Sequence, residues 1–544
     1  MICWIGGLSY NEEVPIGVKS KVLVRSTWIG GALGVTLIIG AYLLSKGTGR
    51  TFIADEWMFV AARREIAPST LFADHNGHLV ALPAFLYMVV FGLVGLDGYR
   101  LLAVLAVLAH LVTALFIVRY LHRRCGAAVA IGAGLVVALS GAGAQNYVWG
   151  FQITFIGSVV FFLLAVVAYD RRDVSGRWRV ATCVLVIGSL CFSGVGVSAL
   201  ATMAVVIVAL GRLRRDWWVF VIPAVFYGSW YLRFAEQTPN ARASIGQIAR
   251  FILDGSAGSI SATFGVDVGW GRLGLGLLLA WMVVDARRRG FVPRRYVWFV
   301  FSLFFWTITA FSRAGFGDPF SSRYLWVGQI CLVLTIGELF PLRRVEFGRA
   351  RVWGVAVLLV FLSFFGSRSM FVDNARFQSS TEDVAVARST LALMNRTTIA
   401  DEVAIHSIWG YTLITASDFF EAVERFGRPR TFENPEILAD PNRRVAADVA
   451  MIEFGLVPVD VENVRCENVV ATEAIMLDLG ESASFRIDSS SNAVVRTRRF
   501  ANVDEVELLP QRQIDSGVYT VRTFDDSMGL PVELIFDSPV MLCE

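Results

Sequence analysis

Charged residues are scarce in this chain. Of its 544 residues only 17% are Asp, Glu, Lys or Arg, against 55% hydrophobic and a mean hydropathy of +0.58. Soluble domains run nearer a quarter charged, so an ordinary soluble enzyme is excluded. The seven cysteines show no metal-ligand spacing, which removes a zinc module. No G-x-x-x-x-G-K-[ST] phosphate loop is present. An internal repeat of fixed period is also missing, which argues against a transporter built from duplicated halves. The basic residues form no continuous stripe, so a nucleic-acid partner is not expected. The first apolar stretch lacks an A-x-A site and reads as a retained anchor rather than a cleaved signal.

What is present is a series of apolar runs of 16–22 residues separated by short basic clusters. That is the pattern of a polytopic α-helical membrane protein. Spans are expected near 26–45, 98–120, 126–142, 153–169, 179–192, 195–210, 216–232, 267–284, 296–312, 322–340 and 352–367, about 11 in all. With residues 1–25 cytoplasmic, six inner loops hold 22 Lys and Arg (3, 3, 4, 3, 5 and 4), while the alternate loops hold far fewer. Lys and Arg accumulate on the cytoplasmic side, so the bias fixes a sidedness for every loop. Keeping it requires two local readings. Residues 79–94 form a helix along or re-entering the outer surface rather than a span, and 178–211 is two short helices broken at Ser193–Gly196. Residues 233–266 are expected to rest on the outer surface.

The charge balance divides the chain. Residues 373–544 hold 29 acidic residues against 15 Arg, a net of −14, and residues 1–372 hold 34 basic and 17 acidic, a net of +17. A transmembrane domain over 26–372, with a first outer loop at 46–97, is therefore followed by an acidic extracytoplasmic domain over 373–544. From about 464 its short alternating runs read as a β-sandwich-like part after an α/β beginning. Cys466 and Cys543 are the only cysteines there and are available to pair if it lies outside.

Polar residues gather in four outer segments. Asp55 and Glu56 follow the first span, where partial burial would make a carboxylate a stronger base; a solvated loop pair is the plain alternative. Trp57 reads as an interface anchor. Asp74, His75, Asn76 and His78 could bind sugar hydroxyls, or a divalent cation, although no third His or Cys ligand is evident. Gln145, Asn146, Trp149 and Gln152 combine amides and aromatics, which suits carbohydrate or else an aromatic belt. Arg313 and Arg323, with Tyr324, could clamp a phosphate, or pair with Asp318 to shape their loop. Ser193 sits at the helix break, which should line a cavity.

The order of these features resembles the GT-C-type integral membrane glycosyltransferases that use polyprenyl-phosphate-linked sugars. The shared points are Ala54-Asp55-Glu56-Trp57, His75-Asn76-Gly77-His78, Asn146-Tyr147-Val148-Trp149-Gly150-Phe151-Gln152, Phe192-Ser193-Gly194-Val195-Gly196 and Ser322-Arg323-Tyr324. Most similar is a group of actinobacterial membrane proteins reading D-D-W, H-N-x-H and N-x-x-W-x-F-Q. The resemblance covers roughly residues 26–367. It implies a GT-C-like bundle in a bacterial plasma membrane that transfers sugar at the outer face, with inversion, to a glycan or lipid-linked acceptor. Asp55 matches the family's first acidic position, while Glu56 stands where the second is Asp, so either carboxylate is a candidate base. The acidic domain would guide acceptor glycan. A flippase for lipid-linked saccharide and a non-catalytic envelope-assembly scaffold are the competing classes; nearly charge-free spans count against the first, and polar clustering across four loops against the second.

Overall fold

The computed structural model describes residues 34, 38–43, 45, 49–235, 243–317, 319–339, 349–397, 399–408, 411–458, 466–471, 475–477, 482–487, 493–502, 512–514, 517–522, 532–536 and 540–543. Most of the expected first span, and Asp318, lie outside these. Helices of eight or more residues are numbered here in chain order. The segment after residue 49 holds α1 (Asp55–Ala62) and α2 (Ala81–Val94). The bundle is built from α3 (Tyr99–Cys125), α4 (Ala127–Leu139), α5 (Ile153–Tyr169), α6 (Arg177–Phe192), α7 (Val195–Ala209) and α8 (Trp218–Phe234). It continues through α9 (Ile245–Phe264), α10 (Val268–Arg289), α11 (Val297–Arg313), α12 (Ser322–Leu339) and α13 (Arg349–Gly366). Beyond it come α14 (Arg368–Met394), α15 (Ala416–Phe426) and α16 (Pro441–Gly455).

Among the described residues four helices are long and apolar enough to cross a membrane, Leu96–Cys125, Gly150–Tyr169, Val268–Arg289 and Pro293–Arg313. The number is up to six if each of two bent pairs, Ala127–Leu139 with Gly141–Val148 and Ala350–Gly366 with Arg368–Met394, is one span. That is fewer than the eleven expected. Three of the others run only 15–17 residues, and α12 carries Arg323, Gln329 and Glu338 among its 18. The apolar run at 79–94 forms the 14-residue helix α2, too short to span upright.

One expectation is corrected outright. Residues 245–264 do not rest on a surface; α9 packs among α10, α11 and α12. Its mean hydropathy is modest because the packed face is made of small residues. A methyl group added at Gly255 would lie 2.3 Å from Trp306, and one at Gly258 would lie 2.9 Å from Phe320. Small residues let helices approach closely, a property that hydropathy does not register.

At one end of the bundle the basic clusters are tied down by acids. Arg124 and Arg294 each pair with both Asp170 and Glu338, and Arg179 pairs with the fully buried Asp216. Arg295 and Arg289 share Asp285. These groups sit at the C-terminal ends of α3, α5, α10 and α12 and at the beginnings of α6 and α11.

At the other end lies a second layer. Strands Ala404–Ile408 and Tyr411–Thr415 pair antiparallel beside α15. Nine further strands form an antiparallel four-stranded sheet and an antiparallel five-stranded sheet. The core of this layer is continuous with the 52–102 segment: Phe52, Trp57, Phe59, Tyr87 and Phe91 belong to one buried cluster with Leu391, Ile405, Phe419, Ala447 and Leu534. Trp57 is therefore not an interface anchor. It is fully buried and stacks on the His406 ring, with centroids 4.0 Å apart and planes 8° apart. Arg50 bonds to Glu382 and Asp383, the latter shared with Arg443, and Arg64 pairs with Asp418 and Glu421. This segment is thus moored to α14, α15 and α16.

Candidate functional site

The carrier of Asp55 is a strained turn. Ala54 has φ 46° and ψ −128°, a region that costs a non-glycine residue on the order of 1–3 kcal/mol. Glu56 holds the turn closed. Its carboxylate accepts hydrogen bonds from the Ile53 amide (3.0 Å), from the Tyr87 hydroxyl and from the Tyr99 hydroxyl (2.9 Å). Tyr99 in turn accepts from the Gly150 amide at 3.2 Å. Glu56 is fully buried, and burial pushes its pKa up to about 8 against the pull of these donors. The two neighbouring acids thus point to different places: Glu56 joins α1 to α2, α3 and the 150 turn, and Asp55 faces a cavity.

The second wall is the His75–His78 turn. The two residues exchange backbone hydrogen bonds (3.2 and 3.0 Å) across Asn76 and Gly77, at φ 53° and 78°. Asn-Gly is the pair that tolerates a two-residue turn with both central φ positive. Asp74 accepts the Gly77 amide at 2.9 Å and so braces the turn from behind. The helix break supplies the third wall. Ser193 is fully extended between α6 and α7, and its hydroxyl accepts the Val195 amide. At Gly194 a methyl group would lie 2.7 Å from His78 Nδ1, so this glycine makes room for the imidazole.

The fourth wall carries the arginines. Residues 145–152, expected as an outer loop of amides and aromatics, form the short helical turns Ala144–Val148 and Gly150–Gln152, preceded by another at Gly141–Gly143. Gln145 Oε1 accepts from the Ser321 hydroxyl and the Arg323 amide, and Ser322 Oγ donates to the Ala142 carbonyl at 2.9 Å. These bonds staple the first turn of α12 to residues 142–145 and fix where Arg323 begins. The Arg323 guanidinium lies 5.9 Å from the Trp149 ring centre and 5.1 Å from that of Tyr324.

Asp55, His75, Asn76, His78, Gln152, Ser193, Arg313, Arg323 and Tyr324 line one cavity of about 100 Å³, open at one side. Of the residues singled out from the sequence, Glu56, Asp74, Gln145, Asn146 and Trp149 do not line it. Asn146 is fully buried elsewhere. Thr154, Ser198, Thr309 and Ser312 line it as well. They lie inside apolar helices, where only the fold reveals that their hydroxyls share a face with the arginines.

Burial raises the Asp55 pKa above the usual carboxylate range, and Arg323, Arg313 and the Asn76 side chain pull it back. Burial holds His78 down to about 4, and Arg313 adds to this. Burial, Arg63 and His78 keep His75 well below the ordinary imidazole value. Both histidines are thus neutral near pH 7, leaving one carboxylate and two guanidiniums as the cavity's charges. Among the described residues no group of three His, Cys, Asp or Glu could hold a metal ion.

The cavity lies where α5 and α12 begin and α11 ends, opposite to the ion-paired belt on the same helices. Fold and site together define a polytopic helical membrane protein with a charged pocket at one end. No family model matches the chain, and no curated protein matches it. Two crystal structures of ArnT from Cupriavidus metallidurans are similar at 14% identity: one bound to undecaprenyl phosphate (TM-score 0.44, 77% of this chain and 89% of that one) and one in the apo state (0.45, 75% and 86%). At TM-scores below 0.5 this likeness assigns neither a fold family nor an activity to the chain.

Proposed function

We propose that the protein is a GT-C-type membrane glycosyltransferase of the bacterial plasma membrane. It transfers a sugar from a polyprenyl-phosphate donor to a hydroxyl of a glycan or lipid-linked acceptor. The observation that carries this reading is one half-buried carboxylate and two guanidiniums lining a single cavity. Asp55 takes the proton of the acceptor hydroxyl as its oxygen bonds to the anomeric carbon. The bond from that carbon to the phosphate oxygen breaks, and its electron pair leaves with the phosphate, where Arg313 and Arg323 meet the growing charge. Base and leaving group on opposite faces of the sugar give inversion. Raised basicity from burial favours Asp55 for this work, and its place on a strained turn holds it without reorganisation.

The positive-inside bias puts the cavity at the outer face, the N-terminus in the cytoplasm and residues 373–544 outside. The acidic domain, sharing a core with the segment that carries Asp55, would guide the acceptor. The test uses purified full-length protein in nanodiscs with a radiolabelled polyprenyl-phosphate hexose and an envelope glycan extract. Label should pass to glycan with the wild type and not with Asp55→Asn, while Arg313→Ala combined with Arg323→Ala should lose binding of polyprenyl phosphate. Transfer by Asp55→Asn at the wild-type rate would refute the base assignment.

A further inference from the structure

Several buried polar groups of the cavity lining are unsatisfied. His75 Nε2, both amide atoms of Gln152, Thr154 Oγ1 and Ser198 Oγ have no hydrogen-bond partner, and these residues are 3, 1, 2 and 1% exposed. All four line the cavity that holds Asp55, Arg313 and Arg323. They come from four separate places: the Asn-Gly turn, the 150 turn, the first turn of α5 and α7. Buried polar atoms are nearly always paired, so five orphan atoms around one cavity mark where a polar molecule sits. Each of the four is uncharged as well as unpartnered, since burial keeps His75 neutral. An amide with donors and an acceptor beside two hydroxyls and a neutral imidazole matches groups that both give and take hydrogen bonds, as sugar hydroxyls do.

We propose that these four residues seat the transferred sugar and select a neutral one, whose hydroxyls supply the partners that His75, Gln152, Thr154 and Ser198 lack. The proposal rests on the glycosyl-transfer reading above and adds the class of sugar. An ammonium or carboxylate on the ring would give up its hydration against four side chains that carry no charge. An ammonium would also enter a cavity whose fixed charges, two arginines against one aspartate, sum to positive. Thr154 and Ser198 become specificity-determining residues, because a site built to bond a hydroxyl discriminates strongly by its presence.

The experiment measures displacement of a fluorescent polyprenyl phosphate from the full chain in nanodiscs. The competitors are bare polyprenyl phosphate and its glucose, free-amine glucosamine and glucuronate conjugates. The glucose conjugate should bind at least roughly 10-fold more tightly than bare polyprenyl phosphate, with little or no gain from the other two. Gln152→Leu, Thr154→Val and Ser198→Ala should each remove roughly 3- to 10-fold of that advantage. The affinity for bare polyprenyl phosphate should not change, which also shows that each variant is folded. An equal gain from the glucosamine or glucuronate conjugate, or an advantage untouched in all three variants, overturns the neutral-sugar assignment alone. Failure of bare polyprenyl phosphate to bind the wild type overturns the glycosyl-transfer reading and this inference with it.

Discussion

Replacing Glu56 with Gln separates two neighbouring carboxylates by their pH behaviour. Burial pushes the Glu56 carboxyl up to about 8 in the folded chain, against an ordinary value of 4.5. Between those values the folded state holds a proton that the unfolded state has lost, so stability falls as pH rises through the window. Each pH unit is worth about 1.4 kcal/mol, and the whole window about 5 kcal/mol as an upper figure. The amide cannot titrate. Its NH2 group also replaces one of the two carboxyl oxygens that receive Ile53, Tyr87 and Tyr99, at a cost of about 1–3 kcal/mol. Glu56→Gln should therefore be less stable than wild type at pH 5 and more stable at pH 8, with the curves crossing near about pH 6. Apparent melting temperatures in detergent from pH 5 to 8.5 give the readout, and the difference between the two proteins cancels the other titrating groups. Parallel curves would refute the argument, because the buried proton would then not belong to Glu56. The variant should also keep glycosyl transfer, since its side chain does not line the cavity.

Asp55→Asn should lower transfer by roughly 10²- to 10⁴-fold while the melting temperature changes little, as expected for loss of a general base; a large stability loss would make Asp55 structural instead. Gly194→Ala should push His78 from its seat, since the added methyl would lie 2.7 Å from Nδ1, and the affinity for polyprenyl-phosphate sugar should fall; unchanged binding would remove His78 from the site. Trp57→Ala deletes a fully buried ring stacked on His406 and should cost about 3–5 kcal/mol, exposing α15 to limited proteolysis before the bundle. Cys466 and Cys543 are partners in the register of two antiparallel strands, so protein isolated without reductant should show both resistant to alkylation.

The sequence by itself determined that this is a helical membrane protein with a basic body and an acidic tail, because hydropathy and charge sign are properties of composition. It also determined the helix break at Ser193–Gly196, where local backbone chemistry admits few alternatives. Asp55, His75, His78, Gln152, Arg313 and Arg323 were legible as candidates because a charge or amide beside an apolar run stands out. Only the tertiary structure decided which of them face one another. Adjacent residues on a helix diverge by about 100°, so Asp55 and Glu56, inseparable in sequence, take opposite directions once Tyr87 and Tyr99 close on the second. The same rotation brings Thr154 and Ser198 into the cavity from helices that read as plain apolar spans. Packing also overruled hydropathy at α9, where glycines that lower the apolar score are what admit Trp306. Trp57, an interface residue by its neighbours, proved to be core because the partner it stacks on lies 349 residues further along the chain.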